Sequence, residues 1–167
     1  MAKTALKGTP VNTVGNLPSV GTSAPAFTLS QNDLSDITLS SLKGKKVILN
    51  IFPSLDTAVC AASVRKFNAE LDKLANTTVV CASRDLPFAH GRFCETEGLK
   101  NVVSASEFKD RAFSKSYGVE IADGPLAGLF ARAIVVIDEQ GKVVYTELVP
   151  EITTEPNYEA ALVAAKK

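Results

Sequence analysis

Apolar positions along this chain recur at two periods, and the switches between them mark most of the elements. Thr4 and Leu6 alternate before Gly8-Thr9-Pro10, and Val11 and Thr13 alternate after it, which predicts a small hairpin in the first twenty residues. A turn-rich stretch from Gly15 to Pro25 leads to Ala26-Phe27-Thr28-Leu29 and, past Asn32-Asp33, to Ile37-Thr38-Leu39, two short peripheral strands. Val47-Ile48-Leu49-Asn50-Ile51-Phe52 is a nearly continuous apolar run, the pattern of a central strand covered on both faces, and Pro53 stops it. Residues 60 to 75 carry Val64, Phe67, Leu71 and Leu74 at intervals of three or four, one face of a helix. Asn76-Thr77 ends that helix and Val79-Val80-Cys81-Ala82 forms the next buried strand, completing a strand–helix–strand crossover.

An insertion from Asp85 to Lys100 follows, with a short helix predicted at Phe88 to Glu97, then a brief strand at Val102-Val103. Phe108, Ala112, Phe113 and Tyr117 mark another amphipathic helix, stopped by Gly118. Ala133 to Ile137 and Lys142 to Leu148 flank Asp138-Glu139-Gln140-Gly141, a hairpin signal. The last helix has Pro156 in its first turn and Tyr158, Ala161, Leu162 and Ala165 on one face. Strand, helix, strand, helix, antiparallel hairpin, helix is the order of a thioredoxin-like α/β fold. A central mixed sheet flanked by helices is therefore expected, with an N-terminal β-hairpin extension. No repeat or linker divides residues 1–167, which read as one domain.

Composition narrows the function. Lysine plus arginine equals aspartate plus glutamate at 18 each, so no net field recruits nucleic acid or an anionic membrane. The apolar runs are too short to span a bilayer, and the N-terminus has no apolar signal-peptide core, so a cytoplasmic protein is expected. Three cysteines in such a chain do not make a disulfide framework, and each needs its own account.

Pro53-Ser-Leu-Asp-Thr-Ala-Val-Cys60 joins the central strand to the first helix. A cysteine in a helix's first turn lies beside free backbone N–H groups and the positive end of the dipole, which favours a thiolate. Thr57 or Asp56 is the N-cap; in either case the Thr57 hydroxyl and the Cys60 sulfur share a small volume. Cys81, inside a buried strand, reads as packing. One histidine, His90, and three scattered cysteines lack the paired spacing of a metal site, and His90 reads as an ordinary surface-helix residue. Phe88, Phe93 and Phe130 read as core, and Phe52, Leu55 and Val59 as an apolar rim around Cys60.

The pattern Pro53-x-x-x-Thr57-x-x-Cys60 resembles the peroxiredoxin active-site motif, and the longer string from Asn50 to Asn68 resembles the thiol peroxidase branch of that family. Asp85-Leu-Pro-Phe-Ala with Arg92-Phe-Cys94, Ala122-Asp-Gly-Pro-Leu, Ala131-Arg-Ala and Glu151-Ile-Thr-Thr-Glu-Pro extend the resemblance over nearly the whole chain. It implies a peroxidase that reduces hydrogen peroxide and organic hydroperoxides, with Cys60 attacking and Cys94 resolving through a disulfide within the chain. By the same resemblance Thr57 contacts sulfur and peroxide, Pro53 shields the sulfur, and Arg132 polarises thiolate and peroxide. Thioredoxin is the implied reductant and a homodimer the implied assembly, with no cofactor. Arg84 stands where a small residue is common in the family; it either adds positive charge locally or lies in solvent.

Two other functions compete. A thiol–disulfide oxidoreductase would carry Cys-x-x-Cys, but Ser63 occupies the partner position. A redox sensor begins with the same chemistry and is not distinguished by sequence.

Thiolate formation alone does not make a fast peroxidase. Lowering a thiol pKa from about 8.5 to about 6 raises the thiolate at neutral pH roughly 30-fold, while the accompanying loss of nucleophilicity takes back about tenfold or more. Most of the acceleration then falls to groups that hold the peroxide and stabilise its leaving oxygen. Cys94 adds a second demand. A disulfide needs its Cα atoms within about 7 Å, so a segment around Cys94 that unwinds easily is expected.

Overall fold

The computed structural model describes residues 1–167. Strands β1 (Lys3–Leu6) and β2 (Thr9–Asn12) form the expected antiparallel hairpin. Its turn is Lys7-Gly8, both at positive φ, so Thr9 and Pro10 belong to the second strand. The main sheet has seven strands. They are β3 (Thr28–Ser30), β4 (Asp36–Thr38), β5 (Lys46–Ile51), β6 (Thr77–Ser83), β7 (Val103–Ser106), β8 (Ala133–Ile137) and β9 (Val143–Leu148), in the spatial order β4-β3-β7-β6-β5-β8-β9. The trio β5, β6 and β7 is parallel; β8 joins β5 antiparallel, and β9 joins β8 likewise. This is a thioredoxin-like mixed sheet.

The apolar run of β5 is explained by burial on both faces. Val47, Leu49 and Ile51 pack with Val80, Ala82, Val135, Phe27, Phe113 and Tyr117. Ile48 and Phe52 point the other way and pack with Val79, Cys81, Ile134, Cys60, Val64 and Phe67. The second face is covered by α1 (Ala58–Glu70), α2 (Pro87–Glu97) and α4 (Tyr158–Lys166). The helices differ in how firmly they are seated. Five residues of α1 are buried, against only Pro87 and His90 of α2.

Several boundaries differ from the sequence expectation. The first helix starts at Ala58 and gives way to a 3₁₀ turn at Leu71–Lys73. Strand β7 runs on from Val103 through Ser104-Ala105-Ser106, a stretch whose hydroxyls mask the apolar signal. The third helix, α3 (Ala112–Ser116), leaves out Phe108, which is exposed. The reason is local: the Asp110 side chain accepts the Ala112 N–H at 2.9 Å, and the buried Glu107 accepts the Ser114 N–H at 2.6 Å, so the chain turns there before any helix forms. Pro156 precedes the last helix, whose cap is Asn157 accepting the Ala160 N–H at 3.0 Å. Phe130 is core as expected, Phe93 is partly buried, and Phe88 is exposed.

Gly118 closes α3 at φ +68°, and a Cβ there would stand 2.3 Å from the backbone oxygen of Asn16. Gly118→Ala therefore adds a left-handed backbone penalty of about 1–2 kcal/mol to a collision with main chain. We expect chemical denaturation to show a loss of about 3 kcal/mol or more. A loss below about 1 kcal/mol would mean that the Asn16 segment moves aside freely.

Candidate active site

Six residues after β5, Phe52 to Thr57, bring the chain into α1, and Cys60 is the third residue of that helix. Thr57 is the N-cap by geometry (φ −112°, ψ 145°), which settles the choice against Asp56. Its hydroxyl makes no cap bond; Oγ1 donates instead to the Ser54 carbonyl at 2.9 Å. Cys60 itself is fully buried among Phe52, Leu55, Val64 and Phe67.

A cleft of about 240 Å³ opens over this turn, lined by Pro53, Ser54, Thr57, Ala58, Val59 and Arg132 together with apolar side chains. Three of the five expected site residues, Pro53, Thr57 and Arg132, thus share one cleft, and Cys60 follows directly after the three helix-start residues that line it. The apolar rim is not the expected one. Phe52 and Leu55 are buried, and Leu6, Leu126, Leu129 and Ile152 take their place beside Val59.

Arg132 is 2% exposed. Its Nε donates to the Ile152 carbonyl at 2.8 Å, while Nη1 is buried without a partner. A buried guanidinium donor left unpaired is costly for folding alone, and such atoms call for an explanation by function. Tyr158 packs against the buried cluster that holds Cys60; its hydroxyl donates to Glu155 at 3.0 Å and its ring meets Phe67 edge-on at 5.4 Å. Burial first, then Glu155, pushes the Tyr158 phenol up; Arg132 draws it down and Cys60 adds a smaller upward push. Tyr158 thus stands in electrostatic range of both.

Cys94 lies apart from this cleft. It is half-buried on α2, with Sγ 3.1 Å from the Ser104 hydroxyl of β7, and all three cysteines are free thiols. Cys81 is fully buried, and burial pushes its thiol up to about 12, with the Asn50 amide pulling modestly the other way. That is an inert thiol. No group of three or more His, Cys, Asp or Glu side chains stands close enough together to hold a metal ion.

Three residues have roles that sequence did not disclose. His90 is completely buried rather than on the surface, with its ring 2.9 Å from the Ser83 hydroxyl, and burial draws its pKa down to about 4. Arg84 does not lie in solvent; it donates to the Gly128 carbonyl at 3.1 Å and brings positive charge within 3.8 Å of the buried Glu107, the other of its two expected roles. Asp85 accepts the Leu55 N–H and the Ser54 hydroxyl, both at 2.8 Å, and so fixes the loop that precedes Cys60. The Asp85-Leu-Pro-Phe-Ala motif marked that residue; nothing in the pattern marked its target.

Comparison with known proteins agrees with this architecture. The Redoxin family model matches residues 19–162. The chain is 60% identical over 164 residues to a thiol peroxidase of Mycobacterium bovis, a match covering 98% of each. The same values hold for a thiol peroxidase of Mycobacterium tuberculosis. Among solved structures, a peroxiredoxin-like protein from Aquifex aeolicus superposes with a TM-score of 0.94 at 41% identity, over 99% of this chain and 96% of that one. A thiol peroxidase from Chromobacterium violaceum shares the fold with a TM-score of 0.89 at 23% identity, over 98% and 95%.

The wall of the cleft that carries Ile152 depends on Glu151. Its carboxylate accepts the N–H groups of Thr153 (3.0 Å), Gly8 (2.8 Å) and Lys7 (3.1 Å), tying the N-terminal hairpin to this loop. Those bonds, the Thr153 amide first and then that of Gly8, hold its pKa down to about 2. The folded value lies below the ordinary 4.5, so the tie is complete above about pH 4.5 and is lost as pH falls through 2. In an NMR titration the Lys7 and Gly8 amide shifts are expected to follow a midpoint near 2. A midpoint at the ordinary carboxylate value would show that the tie does not form in solution.

Proposed function

The chain belongs to the thiol peroxidases of the Redoxin family, peroxiredoxin-type enzymes that reduce peroxides, and from that premise we propose that Cys60 is the attacking residue and Cys94 the resolving one. The observation that carries this reading is the placement of Cys60 in the first turn of α1 under a cleft lined by Arg132 with its unpaired Nη1.

On this reading a hydroperoxide enters the cleft and the Cys60 thiolate attacks one peroxide oxygen. The S–O bond forms as the O–O bond breaks, and the released alkoxide or hydroxide takes up a proton to leave as alcohol or water. Cys60 is then a sulfenic acid. Arg132 and the free N–H groups of the first turn of α1 stabilise the charge building on the leaving oxygen, in a site whose apolar walls strengthen that interaction. Pro53 keeps bulk water from the sulfenic acid, and the Thr57 hydroxyl, on the cleft wall, orients the peroxide. The apolar rim of Leu6, Leu126, Leu129 and Ile152 suits organic hydroperoxides as well as hydrogen peroxide.

Next the Cys94 thiol displaces water from the sulfenic acid and closes a Cys60–Cys94 disulfide, which a thioredoxin dithiol reduces with two electrons. Cys94 is held by Ser104 and Cys60 is buried, so closure requires α2 to unwind. The shallow seating of α2 supports that movement. A cytoplasmic homodimer is part of the same proposal, and sedimentation of the native protein tests the assembly. A dithiol oxidoreductase is disfavoured by Ser63, which is buried and donates to the Cys60 carbonyl at 2.8 Å.

Rapid mixing of reduced protein with one equivalent of peroxide, followed by intact mass and free-thiol analysis, tests the cycle. Two thiols should disappear within one chain while Cys81 stays free; an unreactive Cys60 or a disulfide at Cys81 would sink it. Cys94→Ser should react once and stop at the sulfenic acid, and Cys60→Ser should be inactive. Arg132→Gln should slow Cys60 oxidation by about 100-fold or more, the scale of losing a donor to a developing oxyanion. An effect below about threefold would remove Arg132 from the chemistry.

A further inference from the structure

His90 precedes Cys94 by four residues on α2, so the two lie one above the other on the same helical face. The imidazole is sealed from solvent against Phe52, with ring centroids 6.4 Å apart. Its Nε2 stands 2.9 Å from the Ser83 hydroxyl. That hydroxyl has a single proton, and its shortest contact is to Asp85 Oδ2 at 2.6 Å, a carboxylate oxygen that only accepts. The proton therefore goes to Asp85, and His90 Nε2–H is the donor to Ser83. The ring is then neutral with its proton on Nε2, and Nδ1 is left as a buried acceptor without a partner. Burial, which draws the ring's pKa down to about 4 against the upward pull of Asp85, agrees with a neutral ring at pH 7.

The chain of bonds continues past Asp85. Its carboxylate accepts the Leu55 N–H at 2.8 Å and the Ser54 hydroxyl at 2.8 Å, and the Ser54 carbonyl accepts the Thr57 hydroxyl at 2.9 Å. Ser83 accepts from His90 and donates to Asp85, so those two bonds strengthen each other, and the Ser54 and Leu55 donors converge on the carboxylate that this pair holds in place. One end is the helix that carries Cys94. The other is the loop that leads into Cys60 and forms one side of the peroxide cleft.

We infer that His90 is a positioning residue whose Nε2–H, acting through Ser83 and Asp85, couples the folding of the Cys94 helix to that of the Ser54–Thr57 loop. Release of Cys94 and loosening of the peroxide-binding loop are then one event: the cleft is formed only while α2 is wound. This rests on the proposed disulfide between Cys60 and Cys94 for its catalytic meaning, but the coupling exists in the reduced protein.

The test compares full-length wild type with His90→Gln, whose amide N–H replaces the Nε2 donor, with His90→Leu, which fills the volume without a donor, and with Ser83→Ala, a small change in the middle of the relay. Hydrogen exchange on the reduced proteins reads the two segments, and quenched-flow mass analysis with hydrogen peroxide separates sulfenic acid formation from disulfide closure. In His90→Leu and Ser83→Ala the amides of residues 54–57 and 87–97 should exchange faster together. Disulfide closure should speed up roughly fivefold and Cys60 oxidation slow by a similar factor, the scale of one lost buried hydrogen bond. His90→Gln should stay near wild type in both readouts. Faster exchange at 87–97 with 54–57 unchanged, or equal effects of leucine and glutamine, would overturn the coupling. A wild type that oxidises at Cys60 and never closes onto Cys94 would instead overturn the disulfide reading, and the exchange result would still decide the coupling.

Discussion

The Asp85 carboxylate is the fixed point on which the site is built. It stands two residues past the end of β6 and reaches across to the loop that follows β5, where it takes one backbone N–H and one hydroxyl. The loop from Phe52 to Thr57 is too short to form a packed structure of its own, and Pro53 withholds one of its donors. Without an acceptor from the neighbouring strand, the Leu55 N–H would be left unpaired beside the buried Cys60. The direction in which α1 leaves the sheet, and hence where Cys60 stands, follows from that pair of bonds. Ser83 and Ser106 secure Asp85 in turn, the first through its carboxylate and the second by donating to its carbonyl. Both hydroxyls belong to strands of the parallel trio, so the site inherits the rigidity of the sheet.

This explains which features could be read from the sequence. Strands β5, β6 and β8 were legible because burial on both faces leaves an unbroken apolar run, and α1 because Val64 and Phe67 repeat at the helical period. Pro53, Thr57 and Cys60 were legible because they follow one another at a fixed spacing in a strand-to-helix turn. The partners contributed from elsewhere in the chain were not. His90 looks like a surface residue, since its burial depends on Ser83 and Phe52, seven and 38 positions away. Glu151 opens a motif that the sequence displays, but its ligands Lys7 and Gly8 lie at the opposite end of the chain. The length of α3 was misjudged because Glu107 and Asp110 divert backbone donors that a periodicity argument assigns to a helix.

The buried polar atoms show where folding stability has been given up. Asn50 Oδ1, His90 Nδ1, Glu107 Oε1 and Arg132 Nη1 are buried without partners. Glu107 is half compensated by Arg84 at 3.8 Å and by the Ser114 N–H. The remaining three belong to the loop, strands and helix around Cys60. A fully satisfied polar network would serve folding better, since each unpaired buried group costs about 1–3 kcal/mol. On the proposed cycle the compensation for Arg132 lies in chemistry. A guanidinium anchored through Nε would keep its forked donors oriented before substrate arrives, so that no reorganisation is needed as charge develops on the peroxide.

Cys60 faces two incompatible demands on the proposed cycle. Peroxide activation requires a dry, rigid turn, whereas disulfide formation requires the sulfur to meet a thiol that is now held by Ser104 on β7. The two helices divide these demands between them. Val64 and Phe67 wedge α1 into the core, so displacing that helix as a body would cost several buried side chains at about 1.5–3 kcal/mol each. The attachments of α2 are of another kind. Beyond Pro87 and His90 it is held by the partly buried Phe93, by the Cys94–Ser104 contact at 3.1 Å, and by the Arg65–Glu97 pair at 2.7 Å and the Arg92–Asp56 pair at 3.6 Å, both pairs on the surface and each worth at most about 1 kcal/mol. The yielding element is therefore α2, together with the first turn of α1, while the body of α1 stays in place. The Asp85 relay then has a second consequence. It lends a weakly seated helix the stability of the sheet while the cleft is in use, and withdraws it once the chain of bonds is broken.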